Sequence, residues 1–410
     1  MLLKNLFFGW PKNRLAMVYY DNYDYDSNDK SICTNYYGLG NKEKKFIWPV
    51  SKLVKNQQKK QGPKSDNHLS GNRKLLLYNA VVSLLGGDEI IRKYAVSPEL
   101  TKWIEDFKPE LIYCHISSLN QIIFVKKVQS YCNIPIAIHI MDDWFNVRYK
   151  KGLFAPVLRN LFFRKFKELL KLSTSRMGIG RKMSDSYERL FGYSFVPFSN
   201  TVVTQNWFRR EGRYKNDGTF LIIYAGTINT KNLCGLELMS KIVEKLNSQG
   251  HKIQFKIFTF QPRVEQYRST YEALPSVTMD EVPDNDQGMA ELFGSADLLF
   301  LPVDFTPESI NRMRYSIFAK IPAYMASGTP ILFFSPSEIA SAEYALKDNW
   351  AYMVNDNDEN LLKQGLEELM ADSDLREKIG ANANRIARRD FESSKIRESF
   401  RKTLSKAAGL

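Results

Sequence analysis

Short apolar runs alternate with stretches of helical spacing along most of this chain. Residues 111–116 (LIYCHI) read as a strand, 117–132 as a helix capped by serine, and 134–140 (IPIAIHI) as the next strand. Runs apolar on both faces suit parallel sheets, and strands alternating with helices predict a doubly wound α/β fold. A second alternation opens at 220–226 (FLIIYAG), crosses a polar loop at 227–232 and enters a helix at 236–246, with further strands at 253–260 and 296–303. Residues 316–334 then read as helix, turn and buried strand. Ser316 suits an N-cap, and Phe318, Ile321, Tyr324 and Met325 recur at helical spacing. Gly328 and Pro330 end that helix before the strand Ile331–Phe334. Elsewhere the pattern predicts helices at 2–10, 75–85, 100–107 and 382–404, strands at 15–20 and 176–180, and a helix beginning at Ser184.

Length and charge add domain structure. The 410 residues suffice for two or three domains with real cores. Residues 1–200 hold 32 Lys and Arg against 17 Asp and Glu, whereas 201–410 hold 26 against 28. The two halves are electrostatically different objects, and the polar stretch 201–217 reads as their linker. The basic half suits a phosphorylated substrate or an anionic lipid surface, and it carries no nucleic-acid reader motif. Four scattered cysteines show no ligand spacing and fit a reducing cytosol. No apolar run reaches the roughly 18 residues that a membrane span needs.

Candidate chemistry lies where strands end. Ligands in doubly wound sheets bind beyond the carboxyl ends of strands. His139, Asp142, Asp143 and Trp144 fall there in the first half, as a polar site or as a capped turn. In the second half, the strand, Gly226, Thr227, Lys231 and the following helix form an arrangement that cradles phosphate. Neither G-x-G-x-x-G nor G-x-x-x-x-G-K-[ST] is present. Arg312 and Arg314 lie on a loop just before Ser316 and Lys320. Three D-x-D matches (24–26, 284–286, 356–358) sit in turn-like surroundings and read as chance, so no metal site is expected. Residues 153–172 form a basic amphipathic helix, which suits either an anionic membrane or a core with a solvated basic face.

The order of these features resembles GT-B glycosyltransferases, in particular the group-1, family 4 retaining enzymes. The matching pieces are Tyr224-Ala-Gly226 with Lys231, residues 296–302, Lys320-x-Pro-x-Tyr324-Met-Ala-x-Gly328-x-Pro330, and, in the first half, 139–144 and Pro197-x-x-Asn200. The resemblance implies two Rossmann-like domains facing across a cleft. These would be an acceptor domain (1–200) and a nucleotide-sugar domain (218–389), with a last helix (390–410) returning to the first. It implies sugar transfer from a nucleoside diphosphate sugar to an acceptor, without metal or other cofactor. The basic charge of the first half suits a saccharide or lipid-linked acceptor on an anionic membrane, as in surface polysaccharide or glycan synthesis, in a cytoplasmic setting at the inner face of the membrane. Gly226, Thr227, Lys231, Arg312, Arg314, Ser316 and Lys320 would hold the donor phosphates. Asp142 or Asp143 would act at the reacting sugar, with His139 and Trp144 on the acceptor side.

The chain also departs from that pattern. The family's paired glutamates fall on Tyr315 and Ala323, and its phosphate arginine falls on Thr227. The first domain is expected to lack its initial strand, as though the coding start lay upstream of Met1. Two rival readings follow: a GT-B-shaped nucleotide-sugar isomerase using Asp142, Asp143 and His139, and a non-catalytic nucleotide-binding partner protein.

Overall fold

A computed structural model describes residues 2–20, 32–46, 80–207 and 218–410. The 24–26 acidic pair, the basic stretch 51–74 and most of the linker lie outside the described residues. The chain divides into two compact units. One runs from Phe7 to Pro197 and takes in Arg401–Leu410; the other runs from Phe198 to Phe400 and takes in the segment ending at Leu6.

The N-terminal unit contains β1 (Ala16–Tyr20), β2 (Asn35–Leu39), β3 (Lys44–Phe46), β4 (Arg92–Tyr94), β5 (Ile112–His115), β6 (Ile136–Ile140), β7 (Ser173–Gly178) and β8 (Val196–Pro197). Strands β5 to β8 form a parallel sheet in sequence order. Among the described residues β1 pairs in parallel with β2 alone, and β3 pairs antiparallel with β4. The β6 sequence IAIHI is buried at every position, as a strand covered on both faces must be. Ser118 caps the helix Leu119–Cys132 by accepting from the Gln121 amide, one residue after the predicted start. The basic helix, Ala155–Leu172, buries Leu158, Phe162, Phe166, Leu169 and Leu170, and Phe162 stacks on Phe145 at 4.5 Å.

The C-terminal unit holds β9 (Phe220–Ala225), β10 (Ile253–Thr259), β11 (Val277–Glu281), β12 (Leu298–Pro302), β13 (Ile331–Phe334) and β14 (Tyr352–Val354). All six are parallel, in the order β11-β10-β9-β12-β13-β14. Relabelled from its own first strand, that order is 3-2-1-4-5-6, a Rossmann order. The direction of winding reverses between β9 and β12, so a crevice opens beyond their carboxyl ends. One helical layer packs Leu236, Met239, Ile242, Val243 and Leu246 on the sheet. The opposite layer packs Tyr324, Met325, Ile339 and Ala383.

Several expected bounds shift. The first helix covers only Leu2–Leu6, and the charged C-terminal stretch is two helices, Ser373–Asp390 and Ser393–Ala408. The helix expected to begin at Ser316 begins at Ile321, with Lys320 as its N-cap and Pro322 in its first turn. Proline fits that position because its missing N–H is one of the unpaired amides there. Ser316 is therefore not a cap: it is 3% exposed, and its hydroxyl finds no partner.

Candidate functional site

The switch point of the six-stranded sheet is built around one phenol. Tyr224, near the end of β9, is fully buried. Its hydroxyl donates to the Thr227 carbonyl at 2.9 Å and accepts from the Asn232 amide at 2.7 Å and from the Lys320 ammonium at 3.0 Å. The same ammonium lies 4.1 Å from the centre of the Tyr224 ring, a cation–π contact. Asn232 also donates to Thr227 at 3.0 Å and accepts from the Asn229 amide, so the loop after β9 is folded onto this hub.

Three contacts deliver Lys320 to that place. The Tyr324 hydroxyl accepts from the Ala225 amide at 2.9 Å and donates to its carbonyl at 3.2 Å, docking the helix Ile321–Ala326 on the end of β9. Asn200 donates to the Ala319 carbonyl at 2.6 Å, one residue before the lysine. Gly226 leaves the space: a Cβ there would stand 2.5 Å from the Lys320 Nζ, and its φ of +149° favours glycine. Burial, then the neighbouring Lys231 charge, pushes the Lys320 pKa down to about 7. Among the described residues no carboxylate lies within ion-pairing distance of Lys320. An ammonium repelled by a second lysine and lacking a counter-ion favours an anionic ligand.

The structure distributes the other predicted donor residues unevenly. Lys231 approaches the Met313 sulfur at 3.7 Å, and Ser309 donates to the Thr230 carbonyl at 3.4 Å. The helix Pro307–Met313, which carries Arg312, therefore adjoins the Lys231 loop, and exposed Arg314 follows it. The helix start after that loop is occupied from within. Asp304, directly after β12 and 3% exposed, accepts from the Cys234 and Gly235 amides at 3.1 and 2.9 Å. That carboxylate fills the amide cradle of the helix Leu233–Ser248, which the sequence pattern offered to phosphate. The two later D-x-D stretches serve as caps: Asn285 caps Asp286–Gly294 and Asp358 caps Glu359–Ala371.

In the N-terminal unit the predicted polar residues separate. His139 is fully buried within β6 and shares a 2.7 Å hydrogen bond with the Tyr113 hydroxyl through Nδ1. Asp143 is 1% exposed and accepts from Tyr187 at 3.1 Å and from Asn146 at 2.6 Å. Both side chains hold the core. Asp142 is half-buried and interacts with His115, the last residue of β5. Trp144 opens the next short helix, under the Arg148 guanidinium. Burial lowers the His115 pKa, the Asp142 charge opposes that shift, and the His115 Nε2 has no partner. Sequence reading missed His115, although its place at a strand's carboxyl end was the available signal.

Two Rossmann-like α/β units in one chain, the second with order 3-2-1-4-5-6, define a GT-B fold. Solved glycosyltransferases of that fold share the chain's fold and little of its sequence. Sucrose-phosphate synthase from Thermosynechococcus elongatus matches with a TM-score of 0.57 at 12% identity, over 75% of this chain and 77% of that one. Anabaena HepE in complex with UDP and glucose matches with a TM-score of 0.55 at 12% identity, over 75% and 81%. A glycosyltransferase from Rickettsia africae matches with a TM-score of 0.56 at 11% identity, over 91% and 89%. No protein-family model matches the sequence, and no curated protein does. At these identities the likeness establishes the fold.

Proposed function

We propose that this protein is a family 4-like glycosyltransferase, moving a hexosyl group from a nucleoside diphosphate sugar to a saccharide or lipid-linked acceptor in surface glycan synthesis. The observation that carries the reading is Lys320, an ammonium held over Tyr224 at the switch point beside Lys231 and without a carboxylate partner. In such a transfer the bond between the anomeric carbon and the diphosphate oxygen breaks, and the acceptor oxygen takes the carbon. The acceptor's proton leaves with the diphosphate or to water. Negative charge grows on the leaving oxygen, and a fixed cation there stabilises it. Lys320 and Lys231, with Arg312 in support, fill that role without a metal. UDP is the first nucleotide to test, because HepE was solved with it. The isomerase reading is weaker, because two of the three groups it would use, Asp143 and His139, are engaged in core contacts and only Asp142 is left half-buried.

The reading places the enzyme at an anionic membrane surface. Leu84, Leu153, Phe154 and Val157 are 68, 72, 41 and 64% exposed. They share one prominence, because the Leu153 and Phe154 amides donate to the Leu84 and Leu85 carbonyls. Gly86 and Gly152 let those two backbone segments meet. Lys150, Lys151, Arg159, Arg164 and Lys167 are exposed or nearly so on the same stretch. Apolar tips among cations suit interfacial insertion, and no helix among the described residues is long and apolar enough to cross a membrane. The test is transfer of radiolabelled sugar from a panel of nucleotide sugars to membrane extract. A labelled product lost in Lys320→Ala supports the reading; interconversion of the donor without product overturns it.

A further inference from the structure

We propose that the carboxyl edge of the N-terminal sheet holds a second anion site, centred on Arg148, for a phosphoryl or carboxylate group carried by the acceptor sugar. The inference rests on the transferase reading only in naming the ligand an acceptor.

After β6 the chain turns through Asp142, forms the short helix Trp144–Val147 and reaches Arg148 and Tyr149. Tyr149 has a φ of +54°, a conformation that non-glycine residues adopt at a cost of about 1–3 kcal/mol. Its hydroxyl holds it there, accepting from the Leu119 amide at 3.0 Å and donating to buried Glu89. The segment is thus fastened to the start of the helix that follows β5.

Beside that fastening, three nitrogens are left without partners. The Arg148 guanidinium sits over the Trp144 ring, 5.0 Å from its centre. Arg148 Nε, Trp144 Nε1 and His115 Nε2 are all buried without a hydrogen bond. Of the charged side chains nearby, Asp88 pairs with Arg92 and one oxygen of Glu89 takes the Tyr149 hydroxyl, while the half-buried Asp142 acts through its charge on His115. Glu89 exerts a favourable charge on Arg148 from beyond ion-pair distance, and its burial raises its own pKa. A buried donor left unmade costs about 1–3 kcal/mol, so Arg148 Nε and Trp144 Nε1 stand ready for an acceptor group.

The chemistry of that group follows from the donors. A guanidinium fork matches the paired oxygens of a carboxylate or phosphate. An aromatic ring beside it suits the apolar face of a sugar. The excess positive charge of the first 200 residues draws such a ligand in.

Calorimetric titration of the full chain tests the site. Lys320→Ala is the parent protein, to silence phosphate binding in the other unit. The probes are glucose 1-phosphate, glucuronate and glucose. Either or both anionic sugars are expected to bind at least tenfold more tightly than glucose, and the probe that binds names the source of the anion. Adding Arg148→Gln should remove at least tenfold of that affinity, and Arg148→Lys should restore part of it. Trp144→Phe, which keeps a ring and loses the N–H, should weaken binding about threefold. Unfolding midpoints within a degree or two of the parent certify that the variants fold. Equal binding of glucose, or unchanged anion affinity in folded Arg148→Gln, would overturn the proposal. Failure of the transferase reading looks different: anion binding through Arg148 would persist in a protein that transfers no sugar.

Discussion

The two parallel sheets carry a cation at their carboxyl edges by different means. In the C-terminal unit it is a lysine lying on a phenol, with a second lysine close by. In the N-terminal unit it is an arginine lying on an indole, with a carboxyl group in the background. Lysine titrates when buried and arginine does not. The charge at the first edge therefore depends on pH near neutrality. The helix starts differ as well. Asp304 fills one, while Ser118 and Tyr149 fill the other, so at both edges side chains rather than helix amides are left to meet a ligand.

The largest effect that would test this contrast is Lys320→Ala. Loss of the cation should lower kcat for sugar transfer by about 100-fold or more, the scale seen when a charge-stabilising donor is removed. A steady-state assay showing normal transfer would place the diphosphate elsewhere. Next comes Gly226→Ala, whose methyl group would meet the Lys320 ammonium. Nucleotide affinity should fall at least tenfold and the protein should lose about 1–3 kcal/mol of stability, read by titration and denaturant unfolding. Tyr224→Phe keeps the ring under the ammonium and removes the hub of the loop. It should cost about 1–3 kcal/mol by leaving Asn232 and the Thr227 carbonyl short of a partner.

A smaller effect follows from protonation. Lys320 is charged below about 7 and neutral above it in the unliganded protein. Anion affinity at the C-terminal edge should fall as pH rises from 6 to 8.5. Stability runs the other way. The folded state releases the proton near 7 and the unfolded chain near 10.5, so the unfolded state binds more protons between them. Stability then rises with pH across that window, and Lys320→Met should flatten that contribution.

The order of strands and helices was legible because parallel strands are apolar on both faces: FLIIYA, LLFLP and ILFF announce themselves without long-range information. That Lys320 and Lys231 come near one another was legible from the order of strands, loop and helix along the chain. What tertiary contact decides was not legible. The bond from Lys320 to Tyr224 spans 96 residues, and that from Gly235 to Asp304 spans 69. Asp304 takes the helix start that local pattern assigned to phosphate, and its position directly after an apolar strand was the only hint. Ser316 misled because a serine before an apolar stretch looks like a cap, whereas Pro322 marked the true first turn. Asp143 and His139 read as a polar site at a strand end and are instead held by Tyr187 and Tyr113. Arg148 drew no notice, since only the folded surroundings reveal that its buried Nε has no hydrogen bond.

The central claim is that Lys320 and its phenol hold the diphosphate of a nucleotide sugar. The most direct measurement is calorimetric titration of UDP, GDP, ADP and dTDP into the wild type and Lys320→Ala at pH 6.5. The account predicts that at least one nucleotide binds the wild type and loses at least tenfold in affinity in the variant. Equal affinities in the two proteins, or no binding of any of the four to the wild type, would contradict it.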